Sequence, residues 1–259
     1  MTQNITREFM KSLRLFLIYL CSLFLIGCAT KDYSADNFKH LTVGELLQQG
    51  EQNIAKGNYE QAAKYLEAID ALYPFNPEAK QGQLMTIYAY YKSGDHVITL
   101  AAANRYIHLY PEDSHTDYAY YIKGVVNFNK NRTAAQKLLS KKLENLDISD
   151  LNESFINFSE LLRKYPNSFY AKDAKKRMFY IRHLIAEHEL NIAKFYLKRK
   201  AYVASANRAT NLVKHYPGTP QTKEALKIMI KSCDALSLKQ QKEDTLRTFK
   251  LNFPNETVE

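Results

Sequence analysis

Two histidines flank a glutamate in a segment with the pattern of a long helix. His183 and His188, with Glu187 between them, are residue types that bind zinc. Helical zinc sites place their histidines at i and i+4, whereas a spacing of i and i+5 turns these imidazoles about 140° apart. The sequence also lacks a Gly-x-Gly phosphate loop and a Gly-x-Ser-x-Gly turn. We therefore expect no metal, no cofactor and no catalytic centre.

One cysteine, Cys28, stands where an N-terminal apolar segment ends. Three basic residues precede the apolar run 15–26, which is shorter than the roughly 20 residues that a membrane-spanning helix needs. This order is typical of a signal peptide, and the ending Leu25-Ile26-Gly27-Cys28 is similar to the lipobox of bacterial lipoproteins. A chance cysteine after an ordinary secretory signal is the alternative. We expect residues 1–27 to be removed and the Cys28 thiol to carry an anchoring lipid.

The chain that remains after this cleavage would be 232 residues long, with a net charge of +7 instead of +9. Its only cysteine besides Cys28 is Cys233, so no intramolecular disulfide is possible. Cys233 lies in an apolar-patterned run and is expected to be a small buried side chain. Residues 28–39 are polar and without periodicity, and they are predicted to be a flexible leash between the lipid and the folded domain.

Tyrosine is unusually frequent: the chain has 19 tyrosines and no tryptophan, and the motif Tyr-Ala-Tyr-Tyr occurs twice. Tyrosines among basic residues can bind single-stranded nucleic acid, but the export signal and the diffuse charge disfavour that function. Most of these rings are expected to fill the space between helices. Four could instead line a groove that takes an extended peptide of a substrate protein, namely Tyr88, Tyr91, Tyr118 and Tyr121.

The sequence contains a repeated pattern of aromatic residues and prolines. An aromatic residue precedes a proline five times, at intervals of 37, 55, 51 and 37 residues: Tyr73-Pro74, Tyr110-Pro111, Tyr165-Pro166, Tyr216-Pro217 and Phe253-Pro254. The residues eight and five positions before each proline are apolar, and with the aromatic residue they share one helical face. Leu66, Phe158, Leu161, Leu212 and Leu246 are among them and are expected to be buried. Each helix ends before its proline because proline restricts the preceding backbone.

Helix, turn, helix and proline at this spacing are the pattern of tetratricopeptide repeats. The predicted fold is all-α, a right-handed tetratricopeptide-repeat solenoid of five helix pairs preceded by a lipoprotein signal peptide. Two long intervals predict a polar insertion over 129–150 and one long helix, or two joined end to end, over 171–197. The predicted organisation is 1–27 signal peptide, 28–39 lipidated leash, 40–128 repeats 1–2 and the start of repeat 3, 129–150 insertion, and 151–259 the rest of repeat 3 with repeats 4–5.

Three segments resemble the BamD family, lipoproteins of the outer-membrane β-barrel assembly machinery: residues 66–95, 165–177 and above all 192–226, "IAKFYLKRKAYVASANRATNLVKHYPGTPQTKEAL". The resemblance extends over nearly the whole chain after Cys28. Lys200 departs from it, because the family often has glycine before the helix that begins near Ala201. The insertion 129–150 also lacks the Asp-, Arg- and Pro-rich character of the family.

The resemblance implies a non-enzymatic periplasmic scaffold that is lipid-anchored to the outer membrane. Its C-terminal repeats would bind the POTRA domains of the barrel-forming subunit, and its N-terminal repeats would receive unfolded outer-membrane proteins. Accessory assembly lipoproteins are further implied partners, and nucleic acid is not a partner. Asn207 and Arg208 lie in the segment closest to the family pattern and are candidates for the POTRA contact. Arg208 could instead form a salt bridge or carbonyl cap within the solenoid.

Two other functions fit a tethered repeat protein. A lipoprotein of the cell-wall or division machinery could use the same repeats to recruit a synthase. An accessory subunit could deliver peptidoglycan to a hydrolase. The partner that co-purifies from solubilised outer membrane distinguishes the three functions.

Overall fold

The computed structural model of the chain describes residues 35–138 and 148–258, apart from the side chains of 131–138. The predicted signal peptide, Cys28 and residues 139–147 of the insertion lie outside the described residues. Within the described ranges the fold is all-helical, with a short 3-10 helix followed by ten α-helices. The α-helices are α1 (Val43–Ala55), α2 (Tyr59–Leu72), α3 (Pro77–Ser93), α4 (His96–Leu109), α5 (Thr116–Leu138), α6 (Ser149–Lys164), α7 (Ala171–Lys198), α8 (Tyr202–His215), α9 (Gln221–Ala235) and α10 (Lys239–Asn252).

Each helix packs on the next along the chain, so that the ten helices form five pairs stacked as a solenoid. The predicted tetratricopeptide-type architecture is therefore confirmed. Helices α1 and α3, α3 and α5, and α7 and α9 also touch. A repeat buries its apolar face against its neighbours, and this continuous burial holds the array together.

The five aromatic residues before proline all end a helix in the same way. The backbone N–H of each donates to the carbonyl four residues earlier, and the φ angle of each lies between −125° and −135°. The residue five positions before the proline is completely buried in every repeat: Ile69, Tyr106, Leu161, Leu212 and Phe249. Of the other residues expected in the core, Leu66 and Phe158 are buried. Leu246 is only partly buried, because within the described residues α10 packs mainly against one helix, α9.

The described chain is already packed at its N-terminal end. Ala35–Phe38 form the 3-10 helix, and the buried Phe38 ring lies 5.0 Å from the Tyr65 ring of α2, centroid to centroid. This part of the segment predicted to be a leash therefore belongs to the first hydrophobic cluster. The segment packs on α2 because burial of a phenylalanine side chain contributes about 1.5–3 kcal/mol.

The predicted insertion is partly helical. α5 continues through Leu138 and α6 begins at Ser149, so helical backbone occupies both ends of 129–150. The long helix predicted over 171–197 is observed as the unbroken helix α7.

α7 is shared by two hydrophobic clusters. Ile181 and Ile185, near its centre, belong to a cluster with α5 and α6, and Leu190 and Ala193, closer to its C-terminal end, belong to a cluster with α8 and α9. α8 has half the length of α7. The turn after α8 meets α7 at Arg182, whose guanidinium donates to the Pro217 carbonyl over 2.9 Å. The first three turns of α7 therefore extend beyond α8.

Candidate partner-binding sites

The four tyrosines predicted to line a groove come together on α3 and α5. Tyr88 and Tyr91 lie near the end of α3, and Tyr118 and Tyr121 lie near the start of α5. A fifth ring, Tyr170, joins them from the turn before α7, stacked on Tyr121 at 4.5 Å and tilted against Tyr118 at 5.7 Å, centroid to centroid. We call these five side chains the tyrosine cluster.

Polar contacts fix one side of the tyrosine cluster. The Tyr121 hydroxyl donates to Asp173 Oδ2 over 2.8 Å, and Arg177 Nε donates to the same oxygen over 2.5 Å. Burial, followed by the bond to Asp173, raises the pKa of Tyr121 to about 12. Burial opposes ionisation of Asp173, but the bonds from Arg177 and Tyr121 outweigh it and hold the pKa of Asp173 below its usual value. Tyr121 is therefore a neutral donor held by an ionised acid.

The opposite side of the tyrosine cluster has fewer polar contacts. Burial, followed by the neighbouring tyrosines, raises the pKa of Tyr118, and its hydroxyl has no hydrogen-bond partner among the described residues. Tyr88 is 37% exposed and meets the Tyr59 ring edge-on at 6.3 Å. Tyr91 accepts a bond from Asn129 Nδ2 over 3.0 Å. The cluster thus has one partly exposed ring, which suits an extended peptide carrying an aromatic side chain, whereas the hydroxyl without a partner is buried.

A separate groove lies nearer the N-terminus, and the sequence did not predict it. It has a volume of about 1060 Å³ and is lined by the 3-10 helix, α2 and the turn between α3 and α4. Its charged residues are mixed in sign and include Glu60, Lys64 and Asp95. The available signal for this groove was Phe38, an aromatic residue near the end of the polar segment 28–39.

Asn207 and Arg208 lie on α8, next to the buried Ala209. Asn207 is exposed. Arg208 Nη1 lies 3.2 Å from Glu189 Oε1 and 3.3 Å from Glu189 Oε2 of α7. The Glu189 side chain is only 7% exposed, whereas the Arg208 side chain is 45% exposed. The salt bridge within the solenoid, one of the two roles expected for Arg208, is therefore present, and almost half of the side chain still faces solvent.

The histidines near the middle of α7 do not form a metal site. The His183 ring packs against Phe179 at 4.3 Å, centroid to centroid, whereas His188 is buried in the core. Within the described residues, no group of three or more His, Cys, Asp or Glu side chains is arranged to hold a metal ion. Over the same residues, no helix has the length and apolarity needed to cross a membrane. Cys28 lies outside them, and its lipidation stays a prediction.

The similarity of this chain to known proteins extends over both ends of the solenoid. Residues 39–248 match the YfiO family model, described as "Outer membrane lipoprotein". The chain is 34% identical over 244 residues to the outer membrane protein assembly factor BamD of Neisseria meningitidis serogroup A, covering 93% of this chain and 91% of that protein. It is 33% identical to BamD of Vibrio cholerae, covering 88% of this chain and 93% of that protein, and 38% identical to BamD of Pasteurella multocida, covering 75% of each. The chain therefore belongs to the YfiO family of outer membrane lipoproteins.

Proposed function

We propose that this protein is a periplasmic scaffold for the assembly of outer-membrane β-barrel proteins, held at the outer membrane by a lipid on Cys28. The last two helix pairs bind POTRA domains of the barrel-forming subunit, and the first three receive unfolded outer-membrane proteins. Accessory assembly lipoproteins complete the complex. The observation that carries the proposal is the similarity to named assembly factors over 88–93% of this chain, which includes both regions.

Arg208 is the proposed centre of the POTRA contact. A guanidinium has five donors in a planar fork and can bind a second carboxylate while it keeps its first. Glu189 uses Nη1, and the exposed part of the side chain remains for a partner. Asn207 is exposed beside it and can add an amide hydrogen bond. A carboxylate on the POTRA domain would then meet a guanidinium already oriented by Glu189.

The test separates the two roles of Arg208 by changing each side of the salt bridge. We expect Arg208→Ala to weaken binding to the purified barrel-forming subunit by more than about tenfold, because a broken interfacial charge pair costs about 2–5 kcal/mol. Glu189→Gln removes the internal acid but keeps Arg208, so binding should be retained. Arg247→Ala is the matched control, since Arg247 is 71% exposed and its ion pair is local.

Calorimetric titration and melting curves measure these effects. Equal loss of binding in Arg208→Ala and Glu189→Gln, together with equal lowering of the melting temperature, would assign Arg208 to the solenoid alone. Recovery of a cell-wall synthase instead of a barrel-forming protein from solubilised outer membrane would contradict the proposal as a whole.

The tyrosine cluster is the proposed contact for the unfolded substrate. Tyr88→Ala removes the exposed ring and should bind a peptide from the C-terminal end of an outer-membrane protein more weakly in fluorescence anisotropy. Tyr118→Phe removes only a buried hydroxyl and should leave the affinity unchanged. Tyr180→Ala is the surface control, because Tyr180 is 49% exposed and lies outside the cluster. Unchanged affinity in Tyr88→Ala would remove the cluster from the substrate site.

The lipid anchor is tested independently. Cys28→Ala should abolish metabolic labelling with palmitate and release the processed chain from the membrane fraction. Cys233→Ala should change neither, because Cys233 is buried. Palmitate labelling that persists in Cys28→Ala would show that Cys28 is not the acceptor.

A further inference from the structure

The turns between successive helix pairs form one edge of the N-terminal half of the solenoid. Because consecutive helices run antiparallel, the turns that follow α2, α4 and α6 lie at the same end as the chain before α1. Two contacts join these segments directly: Tyr73 Oη donates to the Leu41 carbonyl over 2.8 Å, and Tyr165 Oη donates to the Pro111 carbonyl over 3.1 Å. A third contact joins the first turn of α3 to the next segment, where Lys80 Nζ donates to Asp113 Oδ2 over 2.5 Å. We call residues 39–42, 73–76, 110–115 and 165–170 the junction edge.

The junction edge carries the two most exposed large hydrophobic side chains in the described part of the chain. Phe75 is 99% exposed and Phe169 is 91% exposed. Single exposed hydrophobic residues are common on protein surfaces. Two phenylalanines at equivalent turns of one edge are a pattern. Phe169 meets the Tyr170 ring edge-on at 5.5 Å, centroid to centroid, but almost all of its surface remains in solvent.

Positive charge is concentrated beside Phe169. Residues 160–180 contain six basic and two acidic residues, a net charge of +4. Lys172, Lys175 and Lys176 are exposed on the first turns of α7, and no ion pair joins them to another described residue. Asp173, the nearest acid, is engaged by Tyr121 and Arg177. An exposed aromatic ring beside unpaired lysines is the composition of a membrane interface, where rings lie among headgroups and lysines meet anionic lipids.

The chain before α1 limits the distance between the solenoid and the anchor but does not select an edge, because Ala35 and Phe38 line a groove together with the turn between α3 and α4. Tyr73 holds Leu41 at the junction edge, and Ala35–Phe38 is packed against α2. Seven residue steps separate Cys28 from Ala35, so the lipid lies within at most about 25 Å of Ala35. A tether this short keeps the N-terminal half of the solenoid at the bilayer surface.

We propose that the junction edge contacts the surface of an anionic lipid bilayer, with Phe169 among the headgroups and Lys172, Lys175 and Lys176 against lipid phosphates. Phe75 makes a second contact. The proposal rests on the lipid anchor of the proposed function and adds the orientation of the solenoid. The opposite edge, formed by the turns within the helix pairs, then faces the periplasm.

The experiment measures the distance of each edge from the lipid. Phe75→Cys and Phe169→Cys at the junction edge, and Val97→Cys and Val203→Cys at the opposite edge, are each labelled with a fluorophore. Val97 and Val203 are 76% and 59% exposed. The native thiols do not interfere, because Cys28 is acylated and burial raises the pKa of the Cys233 thiol. The lipidated full-length mature protein is reconstituted into vesicles of phosphatidylethanolamine and phosphatidylglycerol that contain spin-labelled lipid.

We expect quenching and a blue shift at positions 75 and 169, with neither at 97 and 203. Charge reversal at Lys172, Lys175 and Lys176 to Glu should abolish the quenching at 169. The matched control reverses Lys198, Lys200 and Lys239, which are exposed near the opposite edge, and should leave the quenching unchanged. Circular dichroism checks that both triple variants remain folded.

Three results would overturn the inference. The first is equal quenching at both edges, and the second is no quenching at 169 in protein that floats with the vesicles. The third is shielding of position 169 only after the barrel-forming subunit is added, which would assign the edge to a protein partner. Protein that fails to float because it lacks the lipid would contradict the proposed anchor instead, so the two failures are distinguishable.

Discussion

The N-terminal and C-terminal halves of the solenoid use the same helix pattern but different side chains to join their repeats. Between α3 and α7, repeats are joined by tyrosines: Tyr121 bonds Asp173, Tyr165 bonds the Pro111 carbonyl, and Tyr106 bonds Asp113. Between α7 and α9, the core is aliphatic, with leucine, isoleucine and alanine. The polar contacts there are charged or amide pairs, such as Arg208 with Glu189 and Gln221 with Glu187.

The difference shows what each half leaves available to a partner. A buried tyrosine packs its ring and bonds its hydroxyl in the same place, so most of its surface is used inside the fold. An arginine that bonds a buried acid from the surface keeps part of its guanidinium in solvent. The abundance of tyrosine is therefore mainly a property of repeat packing, and the charged pairs of the second half are better placed to bind a carboxylate.

Substitutions at buried core positions are expected to change the free energy of unfolding the most. Phe158 and Ala209 both stand eight residues before their proline and both are completely buried. Phe158→Ala should lower the free energy of unfolding by about 3–5 kcal/mol, because it leaves a cavity against Gly124 of α5. Ala209→Gly, at the equivalent aliphatic position, should cost about 1 kcal/mol. Urea denaturation measures both, and equal costs would show that the two cores do not differ in this way.

The acidic contacts should differ in their pH dependence. Asp113 accepts bonds from Lys80, Tyr106 and the His115 backbone, and its side chain is 11% exposed. Burial opposes ionisation, but these bonds outweigh it and hold the pKa of Asp113 far below its usual value. Asp113→Asn should cost about 2 kcal/mol at neutral pH.

Because the folded-state pKa of Asp113 lies below the unfolded-state pKa, its contribution is complete above about pH 5 and is lost as the pH falls further. The difference between wild type and Asp113→Asn should shrink over that range in thermal denaturation. In the second half, Glu256 bonds Lys223 at the surface, and Glu256→Gln should cost at most about 1 kcal/mol. A difference for Asp113→Asn that persists unchanged at pH 3 would contradict this assignment.

Removal of the Tyr121 hydroxyl is expected to change the free energy of unfolding less. Tyr121→Phe keeps the ring stacked on Tyr170 but removes the bond to Asp173, and it should cost about 1 kcal/mol. Tyr196→Phe is the control, because Tyr196 lies on the same long helix as Asp173 and the Tyr196 hydroxyl makes no hydrogen bond within the described residues. A melting temperature unchanged in Tyr121→Phe would mean that the ring alone joins these repeats.

The turns within pairs give the smallest effect, with opposite signs in the two halves. Gly94 and Lys200 both have left-handed backbone, with φ of 86° and 60°, and a residue other than glycine pays about 1–2 kcal/mol for this conformation. Lys200→Gly should therefore raise the free energy of unfolding by about 0.5–1 kcal/mol, after the extra freedom of glycine in the unfolded chain is subtracted. Gly94→Ala should lower it. Destabilisation by Lys200→Gly would indicate that the lysine side chain stabilises the turn.

The helices and the core were predictable because the signals for them are local. A proline follows the second helix of each pair, and the apolar residues five and eight positions earlier lie on the same helical face, so the buried positions follow from short spacings. The long helix α7 was predictable in the same way, since nothing in it interrupts a helix. Lys200 at a glycine position was visible in the sequence, and its positive φ gives that departure a physical meaning.

The contacts that decide the candidate sites were not predictable from spacing. Glu189 lies 19 residues from Arg208, and Asp173 lies 52 residues from Tyr121. Which of several acids each one meets depends on how the helices are stacked. The docking of Phe38 on Tyr65 has the same origin, because a single apolar residue in a polar segment gives no periodic signal.

The length of α7 has a consequence for folding. Stacked repeats usually unfold in parts, since each one interacts only with its neighbours. Here one unbroken helix supplies side chains to the clusters on both sides of it, so neither half can lose its structure without exposing apolar surface on a helix that the other half needs. The free energies of the two halves are thereby coupled, and amide protons at the centre of α7 should exchange only when the whole molecule unfolds.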